Sequence, residues 1–129
     1  MLHSNKRILT THAGSLPRPR ELREMLARLS RREPINEANL NASVEIATRE
    51  VIRKQIDAGI DIGNNGEQPR ESFLSYVQHR MSGFGGRSER PPFADLVAYP
   101  SYLTRLSATV IGPDYVDLLH APKAMGEVR

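Results

Sequence analysis

The chain has 129 residues, with 18 Lys and Arg against 15 Asp and Glu, 39% hydrophobic residues, 5% aromatics and no cysteine. Such a length supplies one domain or part of one, and the absence of cysteine excludes a disulfide framework. The opening MLHSNKRILTTH lacks the apolar core of a signal peptide and no run is long enough for a bilayer, so a cytoplasmic location with no membrane partner is expected. The basic residues are scattered rather than gathered into an aromatic-interleaved stripe, which argues against a nucleic-acid partner.

In chain order, the stretch Arg7 to Ser15 (RILTTHAGS) favours a strand that ends in a loop, because Pro17 and Pro19 each bias the preceding residue away from helix. From Arg20 to about Arg32, Leu22, Met25, Leu26 and Leu29 fall at i, i+3, i+4 and i+7 and predict a surface helix. Pro34 breaks it, and Asn36 is placed to cap the next helix. That helix carries an apolar stripe of Leu40, Val44, Ala47, Val51 and Ile52, with Glu45–Arg49 and Glu50–Lys54 spaced for i,i+4 pairing and Gly59 as its stop. Ile60-Asp61-Ile62 then reads as a short strand running into a polar loop, Gly63 to Glu67. Helix, glycine stop, buried strand and polar loop form the αβ rhythm of a parallel sheet.

Beyond Pro69, Glu71 to Met81 predicts a further helix with Phe73, Tyr76 and Val77 as its apolar positions. Residues 82–92 (SGFGGRSERPP) read as a mobile loop. Tyr99 to Val110 fits helix or strand, and Tyr115 to Leu119 a short helix or an extended segment. The last residues, Ala121 to Arg129, show no turn, cap or polar tail and read as an unfinished end.

Two segments carry chemistry. In Thr10-Thr11-His12-Ala13-Gly14-Ser15-Leu16-Pro17-Arg18-Pro19, the small residues allow a ligand close to the backbone, where exposed N–H groups and the Ser15 hydroxyl could hold a carboxylate. By itself the segment also fits a plain strand end with a hydrogen-bonded His12. In Gly59 to Arg70 (GIDIGNNGEQPR), Glu67 could bind an ammonium group, with Arg70 orienting it by a charge-assisted bond. Glu67 equally fits an acidic residue at the start of the next helix.

Together these segments resemble the cobalamin-independent methionine synthase family, whose single-barrel members open with a strand into HxGSLPRP. The likeness continues through the AGIDI ending of the long helix, the GEQPR loop, the Phe73 and Tyr76 spacing and Arg80-Met81-Ser82-Gly83-Phe84, thins between Arg87 and His120, and resumes at Ala121-Pro122 and Gly126. The resemblance implies an α/β fold, the N-terminal portion of a (β/α)8 TIM barrel that is incomplete in this chain, since a barrel takes about 250 residues. On this reading residues 1–129 are one partial methyltransferase domain. The implied reaction is methyl transfer from a methylated folate, 5-methyltetrahydrofolate in polyglutamate form, to homocysteine, giving methionine. Ala13, Gly14 and Ser15 would contact the amino-acid carboxylate and Glu67 its amino group, with His12, Arg18, Asn65 and Arg70 as site neighbours. Single-barrel members commonly have Asp where Asn65 stands, which alters the local polarity and bears on the substrate. A sister zinc-dependent thiol alkyltransferase, of the epoxyalkane:coenzyme M transferase kind, shares the GSLPR opening and is the alternative reading.

The family activates the substrate thiol by binding it to Zn²⁺ through His, Cys and sometimes Glu of later barrel strands. Here cysteine is absent, and His3, His12, His79 and His120 show no ligand spacing. The expectation is therefore a chain that contains substrate-binding residues but neither metal ligands nor a catalytic residue. It would be a truncated gene product acting at most as a binding module, or half of a split enzyme whose second chain completes the barrel.

Overall fold

The computed structural model describes residues 3–73, 75–88, 91, 93–102, 104, 105, 116 and 122–129, in a mixed arrangement of helices and short strands. The chain divides into two compact units, Met1–Leu22 with Asn36–Pro69, and Arg23–Ile35 with Arg70–Arg129.

The first unit is built on α2, Glu37–Asp57, whose ends follow the expected chemistry. Asn36 keeps an extended backbone, and its side-chain oxygen accepts from the Asn39 N–H at 3.0 Å, satisfying one of the unpaired donors of the first turn. At the other end Gly59 takes φ +75°, its N–H donates to Ile56 O, and the Ile60 N–H donates back to Gln55 O, each at 2.9 Å. This is the Schellman arrangement expected of a glycine stop. Glu45–Arg49 and Glu50–Lys54 pair at 2.6 and 2.7 Å. The apolar stripe differs in one member: Ala47 and Val51 are buried, but Ile52 is 38% exposed. The next buried position is Gln55, four residues after Val51 on the same helical phase.

Of the two strands expected here, a single parallel bridge between Thr11 and Ile62 forms, with the Ile62 N–H donating to Thr10 O at 3.1 Å. Side chains take the backbone groups that a longer ladder would use. The Asp61 carboxylate accepts from the Thr10 N–H at 2.9 Å and from the Thr10 hydroxyl at 3.1 Å, while the Thr11 hydroxyl donates to Ile62 O at 2.8 Å. Asp61 also pairs with Arg7. The Arg7 hydrogen bond, followed by the Thr10 amide, holds its carboxyl well below the usual carboxylate range.

Helix α1, Arg20–Ser30, has Leu22, Leu26 and Ala27 buried and Met25 and Leu29 half-buried, close to the expected face. In the second unit it ends at Arg31-Arg32, with Arg32 at φ +59° and the Glu33 N–H donating to Arg28 O at 3.0 Å. The helix expected over Glu71 to Met81 shrinks to a 3₁₀ turn, Tyr76–His79. Ser72 accounts for this, because its hydroxyl accepts from the Ser75 N–H at 2.9 Å and offers the backbone an alternative to a helical turn. Phe73, an expected core residue, is 83% exposed, while Tyr76 and Val77 are half-buried.

Strand β1, Phe84–Gly85, pairs antiparallel with β2, Lys123–Ala124, in the register Phe84↔Ala124 and Gly85↔Lys123. A two-residue strand thus lies within the segment 82–92, and its partner lies in the final segment, Ala121 to Arg129. Gly83 and Gly86 flank β1 at φ +85° and +56°, conformations that other residues adopt at a cost. Helix α3, Ala94–Ala98, precedes further helical residues 100–102, 104 and 105, which favours helix for the first half of the ambiguous stretch Tyr99 to Val110. Residues 106–110, and all of Tyr115 to Leu119 except Val116, lie outside the described residues. Among the described residues no helix is long and apolar enough to cross a membrane.

Candidate functional site

The loop after Ile62 is shaped by its own amides. Asn64 Oδ1 accepts from the Gly66 N–H at 2.8 Å, Asn65 Oδ1 from the Glu67 N–H at 3.1 Å, and Asn65 O from the Gln68 N–H at 3.2 Å. These Asx-type turns hold Gly66 at φ +58° and Glu67 at φ +55°. A left-handed conformation is uncommon for a residue with a side chain and persists only where its surroundings over-determine it. The surroundings here are specific. Gln55, buried on α2, donates through Nε2 to Asn64 O at 2.8 Å and to Val51 O at 3.0 Å, and accepts from the Asn64 N–H at 3.0 Å.

The same loop grips the segment that follows Thr11. The Leu16 N–H donates to Gly66 O at 2.9 Å, and Gln68, fully buried, donates from Nε2 to Leu16 O at 3.1 Å. A Cβ on Gly66 would stand 2.9 Å from Leu16 Cβ, so the approach requires glycine for contact as well as for φ. Asn64 Nδ2 donates to His12 O at 2.5 Å. His12 turns inward on its own segment: Nε2 lies 3.0 Å from Gly14 O, which as a carbonyl can only accept, so Nε2 carries the proton. Gly14 takes φ +90° in open space.

These constraints bring together the two residues singled out as central. Ser15 Oγ donates to Glu67 Oε2 at 2.6 Å, across 52 positions of sequence. Arg18 stands behind the carboxylate: Nη2 donates to Glu67 O at 2.6 Å, and Nε reaches Gln68 O at 3.4 Å. Burial pulls the Arg18 guanidinium below its usual pKa, and the Glu67 charge opposes that shift. Ala13, Gly14 and Ser15 are exposed and Glu67 is half-buried. Asn65 belongs to the loop through its own side-chain bond. Arg70, expected beside Glu67, lies in the second unit, its guanidinium 5.3 Å above the centre of the Tyr76 ring.

Chemically, the first unit presents a carboxylate, a hydroxyl already aligned with it and an exposed run of backbone amides, a set suited to the two ends of a zwitterion. Sequence reasoning missed the residues that hold this set: Gln55, Asn64 and Gln68. Gln55 had a readable signal, since it falls in phase with Ala47 and Val51. Nothing local marks Gln68 for full burial.

Residues 8–106 match the family described as cobalamin-independent synthase, catalytic domain. The chain belongs to that family. Among its relatives are methionine synthases of Sulfolobus acidocaldarius, 39% identical over 75 residues, and of Saccharolobus islandicus, 33% identical over 75 residues. In both cases 58% of the present chain is covered, but only 22% of the relative. The 5-methyltetrahydropteroyltriglutamate–homocysteine methyltransferase of Thermosynechococcus vestitus is 30% identical over 94 residues, covering 64% of this chain and 12% of that protein. No solved structure matches. The chain thus spans about a fifth of the length of the methionine synthases it resembles.

The resemblance implies a zinc ion, for which this chain offers few ligands. The chain contains no cysteine. His12 is engaged with Gly14 O, and His79 Nε2 lies 2.8 Å from Glu71 Oε1. Among the described residues no three His, Cys, Asp or Glu side chains gather as metal ligands. The described residues therefore do not form a zinc site.

Proposed function

We propose that this chain supplies the amino-acid-binding loops of a cobalamin-independent homocysteine methyltransferase, which transfers a methyl group from 5-methyltetrahydrofolate or its polyglutamates to homocysteine. On this reading residues 1–129 are an N-terminal portion of a (β/α)8 barrel. Thr11 and Ile62 belong to its first two strands, and the assembly is cytoplasmic. Zinc, with the His and Cys that bind it, comes from polypeptide outside these residues, either a continuation or a second chain. Large apolar side chains left exposed in the first unit, Ile8 at 87%, Ile46 at 67% and Ile56 at 68%, support further cover of that kind.

The observation that carries the reading is the Ser15–Glu67 hydrogen bond, which joins the two loops singled out by sequence. Glu67 takes the ammonium group of homocysteine, and the Ala13 to Ser15 amides take its carboxylate. Arg18 and Asn65 hold the backbone of the glutamate, and His12 holds the turn at Gly14.

Amide spectra of the ¹⁵N-labelled chain, titrated with L-homocysteine, 4-mercaptobutyrate and coenzyme M, test this. Homocysteine is expected to shift the Ala13, Gly14, Ser15 and Glu67 signals, and 4-mercaptobutyrate, which lacks only the amino group, to bind much more weakly. Glu67→Gln is expected to abolish the homocysteine response. Equal binding of 4-mercaptobutyrate, or no response from a chain with a dispersed folded spectrum, would overturn the assignment. Preferential binding of coenzyme M would instead point to a thiol alkyltransferase of the sulfonate class.

A further inference from the structure

The second unit contains a cavity of about 440 Å³ whose walls include Arg31, Arg32, Arg87, Glu33, Gln78 and Gly86. This volume lies within the range of small-molecule sites. Among the described wall residues three are arginines and one is a glutamate. A further cation borders the wall, because Lys123 Cε lies 3.3 Å from where a Cβ on Gly86 would stand.

The walls are positioned rather than loosely disposed. Glu33 accepts from Arg31 Nε at 2.6 Å and lies 3.5 Å from Arg28 Nε. These neighbours, led by the Arg31 hydrogen bond, hold its carboxyl below the usual range, so it stays an anion that fixes the orientation of Arg31. Arg32, in its left-handed turn, directs Nη2 to Gln78 Oε1 at 3.4 Å. Gly86, also left-handed, lets the chain pass from β1 to Arg87 at the same cavity.

A concave site lined mainly by residues of one charge focuses a field of that sign. Planar, multidentate anions are what guanidinium forks recognise. We infer that this cavity is a second ligand site, distinct from the Ser15–Glu67 loops, which takes a small molecule carrying two or more carboxylate or phosphate groups. Ser15, Glu67 and the amino-acid reading play no part in it, and either proposal can fail without the other.

The test is binding of sodium pyrophosphate and of citrate to the intact chain by calorimetry, at ionic strength held constant with NaCl, together with thermal melts under the same conditions. At least one of the two is expected to bind and to raise the melting temperature, since a ligand of the folded state stabilises it. Arg32→Gln and Arg87→Gln should each weaken that binding about tenfold or more, the loss expected for a charge-assisted hydrogen bond. Arg53→Gln, which removes the same charge from an 84% exposed side chain on α2, should leave it unchanged. Pyrophosphate binding alone identifies the phosphate class, and citrate binding alone the carboxylate class. The inference is overturned if neither anion binds the folded chain. It is overturned equally if Arg53→Gln weakens binding as much as the cavity variants do, because attraction would then be diffuse. Circular dichroism separates a variant that has unfolded from one that has lost the site, and Arg87→Lys, which keeps the charge without the fork, should recover only part of the affinity.

Discussion

Gln55 is the strongest test of how the Glu67 loop is held. Gln55→Met keeps an unbranched side chain of similar length at a position only 5% exposed and removes both polar ends. Val51 O is placed to retain its own helical partner, so the effective loss is the pair of bonds to Asn64: Nε2 to Asn64 O at 2.8 Å and Oε1 from the Asn64 N–H at 3.0 Å. A bond left with one unpaired buried partner costs about 1–3 kcal/mol, and half-burial of Asn64 favours the lower part of that range. Two such bonds give about 2–4 kcal/mol, partly offset by the more apolar methionine. Urea unfolding followed by circular dichroism reads the change as a shifted midpoint at unchanged slope. Faster hydrogen exchange at the Asn64 and Gly66 amides should accompany it. A stability within about 0.5 kcal/mol of the parent, the range of an ordinary surface substitution, would refute the claim that this glutamine fixes the loop.

Other outcomes follow from the same unit. Because the Asp61 carboxyl is depressed below its unfolded value, its stabilisation is complete above about pH 4 and is lost as pH falls through the folded value. The acid limb of the stability profile should therefore flatten in Asp61→Asn, and an unchanged limb would remove Asp61 from this role. Gly66→Ala, forced to φ +58° with its Cβ 2.9 Å from Leu16 Cβ, should cost about 1–3 kcal/mol in urea unfolding, whereas Gly63→Ala, with its nearest contact at 3.7 Å, should cost less.

Local chemistry was legible and distant pairing was not. α2 could be read almost end to end because its cap, ion pairs and glycine stop lie within four residues of the groups they satisfy. The strand expected before Ser15 is reduced to a single bridge for an equally physical reason. β-propensity describes a residue's fit to a pleated surface, but the Thr10 and Ile62 backbone groups had Asp61 and Thr11 side chains as competing partners. Those contacts join positions about fifty residues apart, and no periodicity announces them. The same holds for Phe84 with Ala124, which face each other in an antiparallel pair without a shared turn. At Glu71 to Met81 the apolar spacing suggested a helix, yet the Ser72 hydroxyl, a short-range competitor visible in the sequence, took the decisive N–H.

The candidate site divides along the same line. Ser15 and Glu67 stood out as residue types able to bind an amino acid, and the structure brings them to 2.6 Å. What keeps them there is a set of side-chain amides, Gln55, Asn64, Asn65 and Gln68, whose role is to make hydrogen bonds rather than to carry charge. This bears on Asn65, where the family resemblance leads to the expectation of Asp. The structural task at that position is to accept the Glu67 N–H, done here at 3.1 Å by Oδ1. A carboxylate oxygen performs the same task, so the turn and the left-handed Glu67 are compatible with either residue. The difference is one negative charge two positions from the glutamate proposed to hold the substrate's amino group. On the proposed assignment, Asn65 leaves Glu67 without a second carboxylate on the same turn. Asparagine rather than aspartate at this position therefore changes the charge of the turn while preserving its geometry.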